Sequence, residues 1–268
     1  MALADQLAAF RAAHPPRTFT HRGVAWRYYR GGTAQPTLVL LTGVLGIAEL
    51  GFQVQTLLEQ RHTVIAADYP DLAAGPALID GLIAIIDREK IGRAVWQGGS
   101  FGGLILQRLV EQAPDRVAGM VLSHTGLVTA GRAPQWALRL LEILPDRWVE
   151  GLLRRRLRGL LVGAPDFWLQ WFDRAIGAFD RDAIIRRVQL SNSLARMPPG
   201  PAWTGPTLIV ESDNDPAVRP AARAALRAAF PHARVHTFEG TGHAAAILDP
   251  QGTAKVVAEF AESLRDAT

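Results

Sequence analysis

Gly98-Gly99-Ser100-Phe101-Gly102 is the stretch of this chain best suited to chemistry. It is a G-x-S-x-G pattern that follows an apolar run and opens a helical pattern. A serine on so tight a turn needs neighbours two residues away without side chains, hence the glycines. Strain at such a turn lifts the hydroxyl above the end of a sheet. The helix that starts there aims backbone N–H groups at any negative charge that develops. A dinucleotide-binding G-x-G-x-x-G does not fit the spacing or the place in the chain.

A serine hydroxyl is a poor nucleophile until a base takes its proton. Seven histidines compete for that role. His243 follows a strand-like run, within Gly240-Thr241-Gly242-His243, and its glycines let the loop carry an imidazole toward Ser100. His124 also follows a strand-like run and is read as a pocket-lining residue. His14, His21, His62, His232 and His236 read as structural or surface residues. The acid that holds the base is expected between Ser100 and His243, after a strand. Asp215 and Asp213 in Glu211-Ser212-Asp213-Asn214-Asp215-Pro216 are the candidates. Asp215 is favoured because the chain needs a few residues to turn, and Asp213 stays open as the alternative. Two oxyanion donors complete the set: the N–H of Phe101 and the N–H of Val44, in Thr42-Gly43-Val44-Leu45-Gly46. Loss of one such donor typically costs roughly 3 kcal/mol of transition-state stabilisation.

These residues need a rigid frame, and the sequence supplies one. Short β-branched runs at Thr37–Leu41, His62–Ala67, Ala94–Gln97, Val117–Leu122, Thr207–Val210 and Ala233–Phe238 read as strands buried on both faces. Helical patterns lie between them. Asp249 is the expected N-cap of the last helix, with Pro250 at its first position. The alternation predicts an α/β fold with a mostly parallel sheet flanked by helices. Trp26-Arg27-Tyr28-Tyr29 is expected in an antiparallel edge hairpin. The core is assigned to residues 1–126 and 206–268. Residues 127–205 show no strand pattern and hold five of the seven tryptophans, so they read as a helical cap, or lid, inserted in the core. Trp136, Trp168 and Trp171 are expected to line a pocket there. Met197-Pro198-Pro199-Gly200-Pro201 breaks the last cap helix.

Composition narrows the chemistry further. At 268 residues and 49% hydrophobic the chain can bury a large core. It has no cysteine, which excludes disulfides, a thiolate nucleophile and Cys-based metal sites. No H-E-x-x-H and no P-loop occurs, so no metal and no cofactor are expected. The net charge is +4. The densest basic run, Arg154-Arg155-Arg156-Leu157-Arg158, lacks the interleaved aromatics that stack bases, so nucleic acid is not expected and the run reads as a solvated helix face. The first residues lack the apolar run of a signal peptide and no stretch has membrane-spanning length, so a cytoplasmic protein is expected.

The chain resembles the lidded serine hydrolases of the α/β-hydrolase superfamily over nearly its whole length. Within them it is most similar to bacterial relatives of maspardin. The cues are Phe10 to Pro16, Leu41 to Gly46, Gly98 to Gly103, Ser123-His124-Thr125-Gly126 and Glu211 to Pro216. The resemblance implies the α/β-hydrolase fold and a triad of Ser100, Asp215 and His243. It names no substrate. One departure is Thr42-Gly43, where many relatives have His-Gly and the His braces the oxyanion loop. Thr42 keeps a hydroxyl for local bonding, and the departure implies a differently shaped hole. The expected reaction is hydrolysis of a partly hydrophobic small-molecule acyl substrate, an ester first, through an acyl-enzyme on Ser100. Other serine-dependent reactions on this fold (lactonase, thioesterase, amidase, carbon–carbon hydrolase, cofactor-free peroxidase) and a non-catalytic binding protein are the alternatives. The apolar lid is also a candidate homodimer surface.

Overall fold

A computed structural model of the protein describes residues 1–130 and 133–265. Its strands are β1 (Arg17–His21), β2 (Val24–Gly31), β3 (Thr37–Leu41), β4 (Thr63–Ala67), β5 (Ala94–Gly99), β6 (Val117–Ser123), β7 (Thr207–Ser212) and β8 (Arg234–Phe238). They form one sheet in the order β1-β2-β4-β3-β5-β6-β7-β8. β1 and β2 make the antiparallel edge hairpin, β2 also runs antiparallel to β4, and every other pairing is parallel. The helices are α1 (Leu3–Ala13), α2 (Phe52–Leu58), α3 (Gly75–Arg88), α4 (Phe101–Gln112), α5 (Gln135–Ile143), α6 (Asp146–Gly159), α7 (Asp166–Gly177), α8 (Arg181–Arg196), α9 (Pro220–Ala229), α10 (Ala245–Leu248) and α11 (Pro250–Ser263).

The period of two along each strand sorts the core into two layers. Leu38 and Leu40 of β3 join Val95, Val121 and Val210 against α1, α2 and α11. Val39 and Leu41 face the other way with Trp96, Met120 and Ile209, against α3, α4 and α9. All five residues of β3 and of β4 are buried, as a sheet covered on both faces requires. Asp249 caps α11 by accepting from the Gly252 N–H at 2.8 Å, with Pro250 at the first position.

Four helices, α5 to α8, stand between β6 and β7. They are not uniformly peripheral. α8 sends Leu190 and Leu194 into the α3/α4 layer of the core. Its Leu194 carbonyl accepts from the buried Arg108 guanidinium at 2.9 Å, and Ser193 accepts from the Gly75 N–H at 3.0 Å. α7 packs Trp168 on Phe52 of α2, with ring centroids 5.6 Å apart. α5 and the outer face of α6 are the exposed part of the insertion.

Candidate active site

Parallel strands deliver their C-terminal ends to one edge of the sheet, and the candidate residues sit on the loops that leave that edge. Ser100 is the residue between β5 and α4. Its φ of 52° and ψ of −114° lie outside the favoured regions for an L-residue, a strain on the order of 1–3 kcal/mol. The fold holds it there from both sides. The Ser100 N–H donates to the Ser123 carbonyl at 2.8 Å, and the Ser100 carbonyl accepts from the Gly103 N–H at 3.0 Å. A Cβ on Gly98 would lie 2.5 Å from the Gly102 carbonyl oxygen, and one on Gly102 would collide with the Leu41 carbonyl. Only glycine lets helix, strand and loop come this close.

His243 Nε2 lies 2.9 Å from Ser100 Oγ. His243 Nδ1 lies 2.9 Å from Asp215 Oδ2 and 3.1 Å from Oδ1. Asp215 is buried at the end of the β7 loop, and its Oδ1 also accepts from the Ala217 and Val218 N–H groups at 2.8 and 3.1 Å. Burial alone would push this carboxyl up. The hydrogen bond and charge of His243 and the two backbone donors outweigh burial and hold it below the usual carboxylate range. Asp213 is placed elsewhere: its Oδ1 accepts from the Gly240 N–H at 2.9 Å, so it braces the loop that carries His243.

Phe101 follows Ser100 in the chain, and Val44 lines the same cleft as Ser100. Neither backbone N–H donates to a carbonyl or side chain among the described residues, as expected for the first N–H of a helix and for a loop turned toward a cleft. The loop bearing Val44 is closed by a Gly46 N–H bond to Gly43 O at 3.0 Å.

Comparison with known proteins places this architecture. The family model described as "alpha/beta hydrolase fold" matches residues 36–250. The chain belongs to the α/β-hydrolase family. It is 31% identical over 261 residues to polyketide synthase ThaQ of Burkholderia thailandensis, a match covering 89% of this chain. The chain spans only 12% of that synthase's length. It is also 24% identical over 226 residues to esterase YbfF of Escherichia coli, covering 77% of this chain and 85% of the esterase. Among solved structures, an enol-lactonase from Burkholderia xenovorans superposes with a TM-score of 0.74 at 17% identity, over 91% of this chain and 99% of the lactonase. At that identity the likeness is one of fold.

In this α/β hydrolase the Thr42–Gly46 loop, expected from the sequence to hold an oxyanion, is braced by a residue that the sequence reading missed. Tyr69, just past β4, donates its hydroxyl to the Thr42 carbonyl at 2.8 Å, and its N–H donates to Gly46 O at 2.8 Å. Thr42 itself does not bond locally as expected: its hydroxyl is buried without a partner among the described residues. The support comes from the segment just past β4, the strand that pairs with β3. Tyr69 stands two residues beyond a strand end, the same kind of position that singled out His124. That signal was present in the sequence.

The cleft over Ser100 is lined by His124 and His243, by the loop residues Thr42 to Leu45, by Leu50 and Val54, and by Leu157, Leu160, Leu161 and Phe172 from the insertion. Trp136, Trp168 and Trp171 are not among its lining, which corrects the expectation that they would be. Trp136 is 69% exposed on α5. Trp168 and Trp171 are buried, but in the apolar layer under α7 rather than at the cleft. Trp168 and Phe172 share one face of α7, a turn apart, and meet different neighbours along it. Phe172 reaches the cleft, and Trp168, one turn earlier, packs on Phe52.

His124 lies at the cleft, as a residue leaving β6 at the sheet edge should, with a positive φ of 47°. Both ring nitrogens are engaged: Nδ1 with Ser123 Oγ at 2.9 Å and Nε2 with Ser212 Oγ at 2.7 Å. Ser212 continues to Thr241 Oγ1 at 2.7 Å, on the loop that carries His243. Burial, with the charge of His243 adding to it and Asp215 opposing, pushes His124 down to about 4. At neutral pH it is a neutral link between three loops.

A stability consequence follows. As pH falls, the unfolded imidazole takes a proton near its ordinary value of about 6.5, while the folded one resists to about 4. Stability present above pH 6.5 is therefore lost between about 6.5 and 4, by roughly 3 kcal/mol. Urea unfolding at both ends of that window is expected to show the loss in wild type and a much smaller one in His124→Gln. Burial also lowers His62, but equally in both proteins, so the difference isolates His124. An identical pH slope in both would contradict the assignment.

Proposed function

We propose that this chain is a serine hydrolase that cleaves a carboxylic ester or related acyl substrate through an acyl-enzyme on Ser100. The observation that carries this reading is the unbroken relay from Ser100 Oγ through both nitrogens of His243 to Asp215. Ser100 Oγ attacks the carbonyl carbon as His243 Nε2 takes its proton. The N–H groups of Val44 and Phe101 hold the oxyanion, and Asp215 stabilises the imidazolium. The intermediate collapses when His243 passes its proton to the leaving oxygen. Water, deprotonated by His243 in turn, then attacks the acyl carbon and frees Ser100. This sequence needs no metal and no cofactor.

Leu157, Leu160, Leu161 and Phe172 favour an apolar acyl or alcohol portion, held under the helical insertion acting as a lid. The same mechanics serve a lactone, a thioester or an amide. The similar proteins above include an esterase and an enol-lactonase, so the leaving group is open to a substrate panel. The maspardin-like motifs add a non-catalytic binding reading, and the assembled relay argues against it.

The test is a series of p-nitrophenyl esters of rising acyl length. Burial of about 0.8 kcal/mol per methylene raises kcat/KM roughly fourfold for each carbon until the cleft is full. A burst of p-nitrophenol equal to the enzyme concentration is expected where deacylation is slow. A flat series with no burst would count against an acyl-enzyme in an apolar cleft.

A further inference from the structure

Eight large apolar side chains are exposed among the described residues, and five of them lie on the consecutive helices α5 and α6. Trp136, Leu140 and Ile143 follow the i, i+4, i+7 spacing of one face of α5. Trp148 and Leu152 do the same on α6, where Arg155 continues the stripe. Their exposures run from 42% for Leu140 to 77% for Ile143. No residue of α5 is fully buried, but the core does not lack residues from α6. α6 already buries Val149 and Leu157 on its inner face, one of them at the cleft. On α6 the outer face is therefore a second apolar stripe, and on α5 the exposed stripe is Trp136, Leu140 and Ile143.

Charge marks what would cover it. Arg139, Arg147, Arg155 and Arg156 are exposed around these side chains and make no ion pair with a described residue. Their neighbours differ: Arg154 pairs with Glu150 and Asp173, and Arg158 with Asp173. Of the three acids on the two helices, Glu150 is paired with Arg154 and Asp146 with Arg181. An outward face of Trp, Leu and Ile bordered by unpaired arginines has the make-up of a helix that lies in an anionic bilayer surface.

We infer that the α5–α6 face docks on an anionic lipid surface, with Trp136, Ile143, Trp148 and Leu152 entering the interface and Arg139, Arg147, Arg155 and Arg156 on the headgroups. Two observations favour lipid over other occupants. The apolar side chains protrude at up to 77% exposure instead of lining a groove, and a deformable interface accepts such knobs without preformed sockets. A second copy packed face to face would bring the same four arginines together, and like charges oppose that. The inference does not depend on the proposed reaction, and its readout is binding.

The experiment is co-sedimentation of the full chain with vesicles of phosphatidylcholine, with and without phosphatidylglycerol. Wild type is expected to bind the phosphatidylglycerol vesicles at low salt, to release at high salt, and to bind pure phosphatidylcholine far more weakly. Arg155→Glu/Arg156→Glu is expected to weaken binding roughly tenfold or more. Trp136→Ser/Trp148→Ser should weaken it comparably and abolish a blue shift of Trp fluorescence. All four substitutions are at exposed positions, so circular dichroism and hydrolysis of a water-soluble ester should be unchanged. Absence of binding by wild type would overturn the inference. So would binding that ignores the Trp pair and is matched by poly-glutamate, which would make the face a plain cation patch. Self-association that the Trp pair abolishes, with vesicles unbound, would assign the face to a second copy instead.

Discussion

Ser100→Ala is expected to lower kcat by three or more orders of magnitude on any substrate the protein turns over. The geometry gives the reason. His243 Nε2 has Ser100 Oγ at 2.9 Å, and without that oxygen no bond to the acyl carbon can form. The Val44 and Phe101 N–H groups would still polarise a bound carbonyl, so a remnant over the uncatalysed rate survives. KM should change little, because the cleft that holds the apolar portion is intact. His243→Ala should cost about as much, and the double variant little more, since the two act as one unit. Folding should be unaffected, because the turn at Ser100 is held by backbone bonds to Ser123 and Gly103 rather than by its hydroxyl. Steady-state kinetics on the best ester of the chain-length series checks this. Turnover of Ser100→Ala within tenfold of wild type would remove Ser100 from the mechanism.

Asp215→Asn is expected to cost about four orders of magnitude in kcat with the fold intact. The cause is a tautomer. Asp215 Oδ1 accepts from the Ala217 and Val218 N–H groups, so an asparagine in its place keeps its carbonyl there. Its NH2 group then faces His243 Nδ1, which must become an acceptor. The ring proton moves to Nε2 and points at Ser100, where a base is needed. Asp213→Asn is the control. Asp213 bonds the Gly240 N–H and does not touch His243, so a loss within a few-fold is expected. Stability separates the two states of Asp215 as well. A carboxyl held below its ordinary value stabilises the fold above that value and loses the contribution as pH falls through its folded one. The stability advantage of wild type over Asp215→Asn should therefore be full at neutral pH and shrink in the acid range below about 4.

The parts legible in the sequence share one property: local spacing dictates them. The strand runs, the Asp249-Pro250 helix start and the G-x-S-x-G turn depend on residues within a few positions of one another. The placing of Asp215 and His243 rests on strand ends, which the β-branched runs mark. What was not legible depends on orientation across the chain. Nothing local says that Trp168 turns to Phe52 while Phe172 turns to the cleft. Tyr69 could be picked out by its place just past β4, but nothing local to Thr42 names it as the partner of that loop. The basic run splits for the same reason. Arg154 and Arg158 meet Asp173 from α7, and Arg155 and Arg156 project outward from the same turns. One-dimensional spacing could place the run on a helix but not choose the partners.

The central claim is that Ser100 is an activated nucleophile, and labelling with a fluorophosphonate probe tests it most directly. Wild type, Ser100→Ala and His243→Ala would be incubated with the probe and the adduct located by peptide mass spectrometry. The account expects one adduct, on the peptide holding Ser100, in wild type alone. A folded wild type that hydrolyses an ester yet carries no adduct on Ser100, or equal labelling of all three proteins, would contradict it.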